Sequence, residues 1–322
     1  MRKAKILSES SDSTSSTEQL KTAILRVIPK LNGFVLPLII PPIDSIEEDL
    51  LFEVYEHLLK IGKQRRIDVL LYTFGGDAHT AYHVGRLLQD YATEELRMYI
   101  LREAKSAGTL IACAGDQMVF SEISELGPMD PQIALGEGKR FSPLAIKHTL
   151  ELIANEGKQG HSEIAKALSD KLPEPFILGE HIKSLETGKA YIEKLLTSRM
   201  FRNEPEKSKS IAIKLVEGYP DHGYCIDKRE AKSIGLIVRD VPDDVAPEIF
   251  DVMKAFKRAW KDFDDAFRAS FKEVDNEKKV ENNLLAYSIY KGMKQLADEV
   301  IEKQLSAQAK SEMTKVVDIN PS

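Results

Sequence analysis

The stretch from Ile67 to Ser121 decides the fold: IDVLLYTFGGD (67–77), AHTAYHVGRLLQDY (78–91) and ATEELRMYILREAKSAGTLIACAGDQMVFS (92–121). Ile67 to Tyr72 has the composition of a buried strand and runs into the turn TFGGD. Ala81, Val84, Leu87 and Leu88 then recur at steps of three and four, the period of an amphipathic helix. Leu96 to Leu101 predicts a second strand, followed by the turn AKSAGTL, a helix over Thr109 to Ala114 and a strand over Gln117 to Ser121. Strands and helices alternating through short links predict a parallel sheet covered by helices. Such a sheet places its reactive loops beyond the carboxyl ends of its strands. Gly75, Gly76 and Ser106 all fall at such ends.

Upstream, FVLPLII predicts a first strand closed by Pro41-Pro42, and Ser45 to Gly62 a helix. Residues 8 to 17 are almost all Ser, Thr, Asp and Glu, too polar to bury a core, so residues 1–20 are expected to form a disordered leader. Downstream, helices are expected over Phe141 to Glu156, Leu185 to Arg202, Ser210 to Glu217 and Lys228 to Gly235. The last two flank the loop GYPDHGYCI, and Leu236 to Val238 should return as a strand. Beyond residue 246 the chain is rich in Lys, Glu, Asp and Ala. Phe250, Met253, Phe256, Trp260, Phe263, Phe267 and Phe271 recur there at steps of three, four and seven. That stripe predicts an amphipathic helical extension that packs on the main domain or on a sister subunit. The expected division is a leader at 1–20, a main domain at 21–245 and a helical extension with tail at 246–322.

The 322 residues are 43% hydrophobic and 30% charged, with a formal net charge of −6. An acidic balance gives no electrostatic reason to expect nucleic acid or an anionic membrane as partner. The most apolar run, Phe34 to Ile43, is interrupted by Pro37, Pro41 and Pro42 and is far short of the roughly 20 residues that span a bilayer. The N-terminus lacks the apolar core of a secretory signal. Cys113 and Cys225 belong to no metal-ligand spacing, and a reduced, cytoplasmic setting is the expectation. His79 and His83 stand at i and i+4 on a helix but have no third ligand nearby, so no metal and no cofactor are expected.

Serine hydrolysis needs an exposed hydroxyl, a base to take its proton and donors for an oxyanion. Ser106 sits where a strand turns into a helix, and the small residues Ala107 and Gly108 let backbone amides approach a substrate carbonyl. Gly75 and Gly76 offer a second amide from the neighbouring strand end. TFGGD, AYHVGRLL, AKSAGTLIACAGDQMVFSEISELGPMDPQ and the EA-x3-GL element at Glu230 to Leu236 occur in order. Over residues 30 to 242 this arrangement resembles the serine dehydrogenase proteinases, relatives of the Clp protease subunit and of signal peptide peptidase A.

The resemblance implies an α/β fold of the Clp protease/crotonase type, a repeated ββα spiral with a parallel sheet. It implies Ser106 as nucleophile and oxyanion amides from Gly75 or Gly76 and from Ala107. One departure is Phe74, where proline is the usual neighbour of the glycines. The family's Ser, Asp, His order maps onto Ser106, Asp130 and His222, with Asp130 orienting the ring. The Ser-Lys dyad of the peptidase A relatives leaves Lys147 as the alternative base, with Lys139, Lys105 and His148 as lesser candidates. The expected activity is that of an ATP-independent serine endopeptidase acting on peptides or unfolded segments, since no Walker-type GxxxxGK[ST] is present. A trimer-based or ring-shaped homo-oligomer is implied as well. A crotonase-like acyl-CoA enzyme and a catalytically silent scaffold are the alternatives.

Overall fold

The computed structural model describes residues 15–130, 133–134, 140–172 and 175–319. Its centre is a parallel sheet of five strands in the order β1 (Phe34–Ile39), β2 (Gln64–Thr73), β3 (Ala92–Ala104), β4 (Gln117–Phe120) and β9 (Val238–Asp240). The helices α2 (Glu48–Ile61), α3 (Ala78–Tyr91) and α4 (Ala107–Ala112) connect the first four strands in turn. Two short strands extend the far end of β3: β5 (Glu125–Leu126) pairs with it in parallel, and β8 (Ile226–Asp227) pairs with β5 antiparallel. A two-stranded ribbon, β6 (Ile133–Ala134) and β7 (Arg140–Phe141), leads into α5 (Pro143–Lys158) and α6 (Ser162–Ser169). Three further helices, α7 (Pro175–Ser198), α8 (Pro205–Glu217) and α9 (Lys228–Ser233), precede β9.

The sheet is buried on both faces, which is why its strands read as apolar runs rather than as alternating patterns. Period-two geometry sends Ile67, Val69, Leu71, Leu96, Met98 and Ile100 to one core, shared with α2, α3, α4, α7 and α8. Leu70, Tyr72, Tyr99, Leu101 and Val119 go to the opposite core. That second face is covered by α1 (Ser16–Val27), α10 (Ala246–Lys272) and α11 (Asn276–Ile319). The aromatic stripe of the extension is split: Phe256 and Phe263 are buried against the sheet side, while Phe250 and Phe271 are exposed.

One expectation is corrected and another is refined. The leader does not run to residue 20, because α1 begins at Ser16, with the Ser15 hydroxyl accepting from Glu18 N. Leu20, Ala23, Ile24 and Val27 line one face of α1 and are fully or nearly fully buried. Each apolar side chain so buried contributes on the order of 1.5–3 kcal/mol when it is as large as Leu or Ile, more than enough to override a polar approach segment. Residues 1–14 lie outside the described residues. The extension is two antiparallel helices, broken at Glu273–Asp275, where the Glu273 and Asp275 carboxylates accept backbone N–H groups. Among the described residues no helix is long and apolar enough to cross a membrane.

Candidate active site

Ser106 stands two residues beyond β3, at the N-cap position of α4, without a side-chain capping bond. Its backbone is at φ 50°, ψ −119°, and it is the one non-glycine residue with positive φ among the described residues. A serine held there stores roughly 1–3 kcal/mol of strain, which surrounding structure must fix in place. The fixing contacts are Lys105 N donating to Thr73 O at 3.0 Å and Gly108 N donating to Lys105 O at 2.7 Å. The side chain is half-buried, and its hydroxyl has no hydrogen-bond partner among the described residues.

The glycine pair lies directly against this turn. A Cβ on Gly75, whose φ is +108°, would meet Lys105 O at 2.8 Å and the Ser106 Cβ at 2.9 Å. A Cβ on Gly76 would collide with the Ile46 backbone. Gly75 O accepts from Ile46 N at 2.9 Å, and Asp77 N donates to Ile46 O at 2.7 Å. Asp77 then caps α3, its carboxylate accepting from Thr80 N at 2.7 Å. The Gly75 amide donates to Thr73 Oγ1 at 3.0 Å. The Gly76 and Ala107 amides have no acceptor among the described residues. The peptide between Gly75 and Gly76 is trans, so its N–H points opposite to the carbonyl engaged by Ile46.

Asp130 and His222 reach the same end of the sheet by strand pairing. β5 binds the last two residues of β3, and β8 binds β5 antiparallel, so Asp130 follows and His222 precedes this short ladder. Asp130 is buried, and its Oδ1 accepts from the Ser142 hydroxyl at 2.7 Å. Ser142 in turn caps α5 by accepting from Leu144 N at 3.0 Å. Nδ1 of His222 is buried and has no hydrogen-bond partner among the described residues. No hydrogen bond joins Ser106, Asp130 and His222 among the described contacts, so the three are neighbours in topology rather than a closed relay.

The lysine candidates point elsewhere. Lys147 Nζ is 2.7 Å from Glu217 Oε2, and Lys189 holds the other oxygen of that carboxylate. Burial opposes ionisation of Glu217, but these two ammonium groups outweigh it and hold its carboxyl below the usual range. Lys105 pairs with Glu125, which also meets Arg102 at 2.8 Å and accepts from the Cys225 thiol at 2.9 Å. Burial again works against the Glu125 charge, yet the Cys225, Lys105 and Arg102 contacts bring its carboxyl down to about 2. The Cys225 thiol is pushed up to about 11 by burial and by its bond to Glu125, so it is a donor and no nucleophile. Lys139 lies outside the described residues. His79 donates to or accepts from the Tyr191 hydroxyl at 2.8 Å, and His148 is exposed on α5.

Sequence reasoning did not single out Thr73, Ser142 or Glu125. A lone hydroxyl at a strand end or a helix cap, and a carboxylate in a two-residue strand, carry no periodic signal. Only the fold shows that all three touch the segments bearing Gly75, Ser106 and Asp130.

An uncharacterized protein of Methanocaldococcus jannaschii is 27% identical over 206 residues, which is 64% of this chain and 64% of the relative. A second from the same organism is 25% identical over 190 residues, 59% of this chain and 56% of the relative. The aligned part of the chain thus spans less than two thirds of either relative. Among solved structures, a mutant of the 1510-N membrane-bound stomatin-specific protease aligns with a TM-score of 0.41 at 15% identity, over 66% of this chain and 82% of that one. The family model described as ClpP-like SDH-type serine proteinase matches residues 38–279, and this chain belongs to that family.

Proposed function

We propose that the chain is an ATP-independent serine endopeptidase that hydrolyses peptides or unfolded protein segments, with Ser106 as its nucleophile. The observation that carries this reading is the backbone of Ser106: the residue expected to react is the strained one, in a turn packed on the glycine pair, where the Gly76 and Ala107 amides are unengaged. Oγ of Ser106 attacks the scissile carbonyl carbon and passes its proton to His222 Nε2. The developing oxyanion is met by N–H of Gly76 and N–H of Ala107, fixed donors that need no reorganisation. His222 returns the proton to the leaving amine as the C–N bond breaks, giving an acyl ester at Ser106. Water, deprotonated by the same imidazole, then releases the acid product and restores the serine.

Asp130 with His222 is favoured as the relay because β5 and β8 place both segments at the sheet end where β3 finishes, and because the buried Nδ1 of His222 lacks an acceptor that a carboxylate would supply. Closing the relay requires the Asp130 carboxylate to exchange or share its Ser142 contact. Lys147 is disfavoured by its ion pair with Glu217, since a general base must be unprotonated. The exposed Phe271, Val274, Leu284 and Tyr287 at the free end of the α10–α11 hairpin support assembly into a homo-oligomer. The test is hydrolysis of a casein-like unfolded substrate without nucleotide. Activity should vanish in Ser106→Ala, fall at least about 10³-fold in His222→Ala, and persist in Lys147→Ala. Loss confined to Lys147→Ala would refute the relay.

A further inference from the structure

We infer that Thr73 is the positioning residue of the oxyanion site, selecting Gly76 over Gly75 as the donor from the glycine pair. The inference rests on the peptidase reading of Ser106 and says which amide serves it, and why. Thr73 closes β2 and is fully buried, although a hydroxyl at a strand end has no need to be. It is gripped from three directions. Its carbonyl accepts from Lys105 N at 3.0 Å, tying it to the nucleophile turn. Its methyl lies so close to Gly108 that a Cβ there would overlap it. Its Oγ1 accepts from Gly75 N at 3.0 Å.

These contacts are coupled. A β-branched side chain has one torsion to set both its methyl and its hydroxyl. With the methyl pinned on Gly108, the hydroxyl can only face the Gly75 amide. That amide is thereby occupied and is no oxyanion donor. Its engagement, with Ile46 N on the Gly75 carbonyl at 2.9 Å, fixes the peptide planes on both sides of Gly75. The Gly76 N–H is left as the unengaged one, its direction set by planarity. The same threonine holds Lys105 and Gly108, which flank Ser106 and Ala107. One side chain therefore registers both limbs of the oxyanion site against each other. Serine in its place would keep the hydroxyl but lose the methyl that aims it; valine would keep the shape and lose the acceptor.

The experiment compares wild type, Thr73→Ser, Thr73→Val and Ser106→Ala on one unfolded-peptide substrate, with kcat and KM measured separately. Amide hydrogen exchange at Gly75, Gly76 and Ala107 is followed in the same proteins. Thr73→Val should lower kcat by roughly 10–100-fold with KM unchanged, approaching the about 10²–10³-fold loss known for deleting one oxyanion donor. Thr73→Ser should lose no more than about threefold, a rotamer effect. Exchange at Gly75 should quicken roughly five- to tenfold in Thr73→Val, as expected for one lost hydrogen bond, and stay slow in Thr73→Ser. A folded Thr73→Val enzyme with wild-type kcat overturns the inference, and so does Thr73→Ser impaired as deeply as Thr73→Val. Either result leaves Ser106 as nucleophile. Hydrolysis that survives in Ser106→Ala overturns the peptidase reading and this inference with it.

Discussion

The two ends of the central sheet are built to opposite rules. At the end where β2, β3 and β4 begin, the buried charged groups are paired. Asp68, fully buried, accepts from Arg97 Nε at 2.6 Å, from Arg97 Nη2 at 2.8 Å and from Gly33 N at 2.8 Å. Arg199 bonds Asp116 at 2.9 Å and the carbonyls of Gln89 and Ala92, while Asp116 also accepts from Leu96 N. At the end where the strands finish, the Gly76 and Ala107 amides, the Ser106 hydroxyl and His222 Nδ1 have no partner among the described residues, and the backbone at Ser106 is strained. Satisfied polar groups stabilise; unsatisfied ones wait for a ligand. The contrast supports placing the proposed chemistry at the end where the strands finish.

The largest effect should come from breaking the satisfied end. Arg97→Met leaves Asp68 buried without its cation; burial already raises that carboxyl, and Arg97 is the main opposing influence. Urea titration should register a loss of about 3–5 kcal/mol. Turnover per folded molecule should stay near wild type, and a parallel collapse in kcat would dissolve the distinction between the two ends. Next is Gly75→Ala, whose new Cβ meets Lys105 O and Ser106 Cβ at a φ that alanine avoids. It should cost about 2–3 kcal/mol and at least about 10²-fold in kcat, so that stability and activity fall together at the open end.

A smaller effect concerns Glu125, beside the site. Its folded-state pKa of about 2 lies below the ordinary 4.5, so its stabilisation is complete above pH 4.5 and disappears as pH falls toward 2. The group is partly solvated, so the swing is about 1–2 kcal/mol rather than the full linkage value. Thermal melts at pH 6 and pH 3 should converge when wild type is compared with Glu125→Gln. A gap that is wider at pH 3 than at pH 6 would contradict the assignment. The smallest effect is a gain: Ser106→Gly removes the strain and should raise stability by about 1 kcal/mol while abolishing hydrolysis. Reduced stability in that variant would mean that Ser106 is not strained at all.

The sequence made legible what is repeated or apolar. Strands β2, β3 and β4 appear as buried runs, and their helices as three-and-four periodicities, so the parallel sheet and the loop ends bearing Gly75, Gly76 and Ser106 followed. Strands of two residues such as β5 and β8 have no period to read, yet they carry the segments of Asp130 and His222 to the sheet end where β3 finishes. Helix α1 was hidden by its polar approach, although Leu20, Ala23, Ile24 and Val27 hold helical spacing. The aromatic stripe of the extension foretold its amphipathic character; the turn at Glu273–Asp275 was not foretold, because polar residues there continue the composition of both helices. The general base depends on rotamers and long-range pairing, which neither motif nor period encodes.

The central claim is that Ser106 is an activated nucleophile, and covalent trapping tests it most directly. The intact protein would be treated with a fluorophosphonate, digested, and the adduct located by mass spectrometry. The account predicts one adduct, on Ser106, absent from Ser106→Ala and slowed in His222→Ala. An adduct elsewhere, or undiminished labelling of Ser106→Ala, would contradict it.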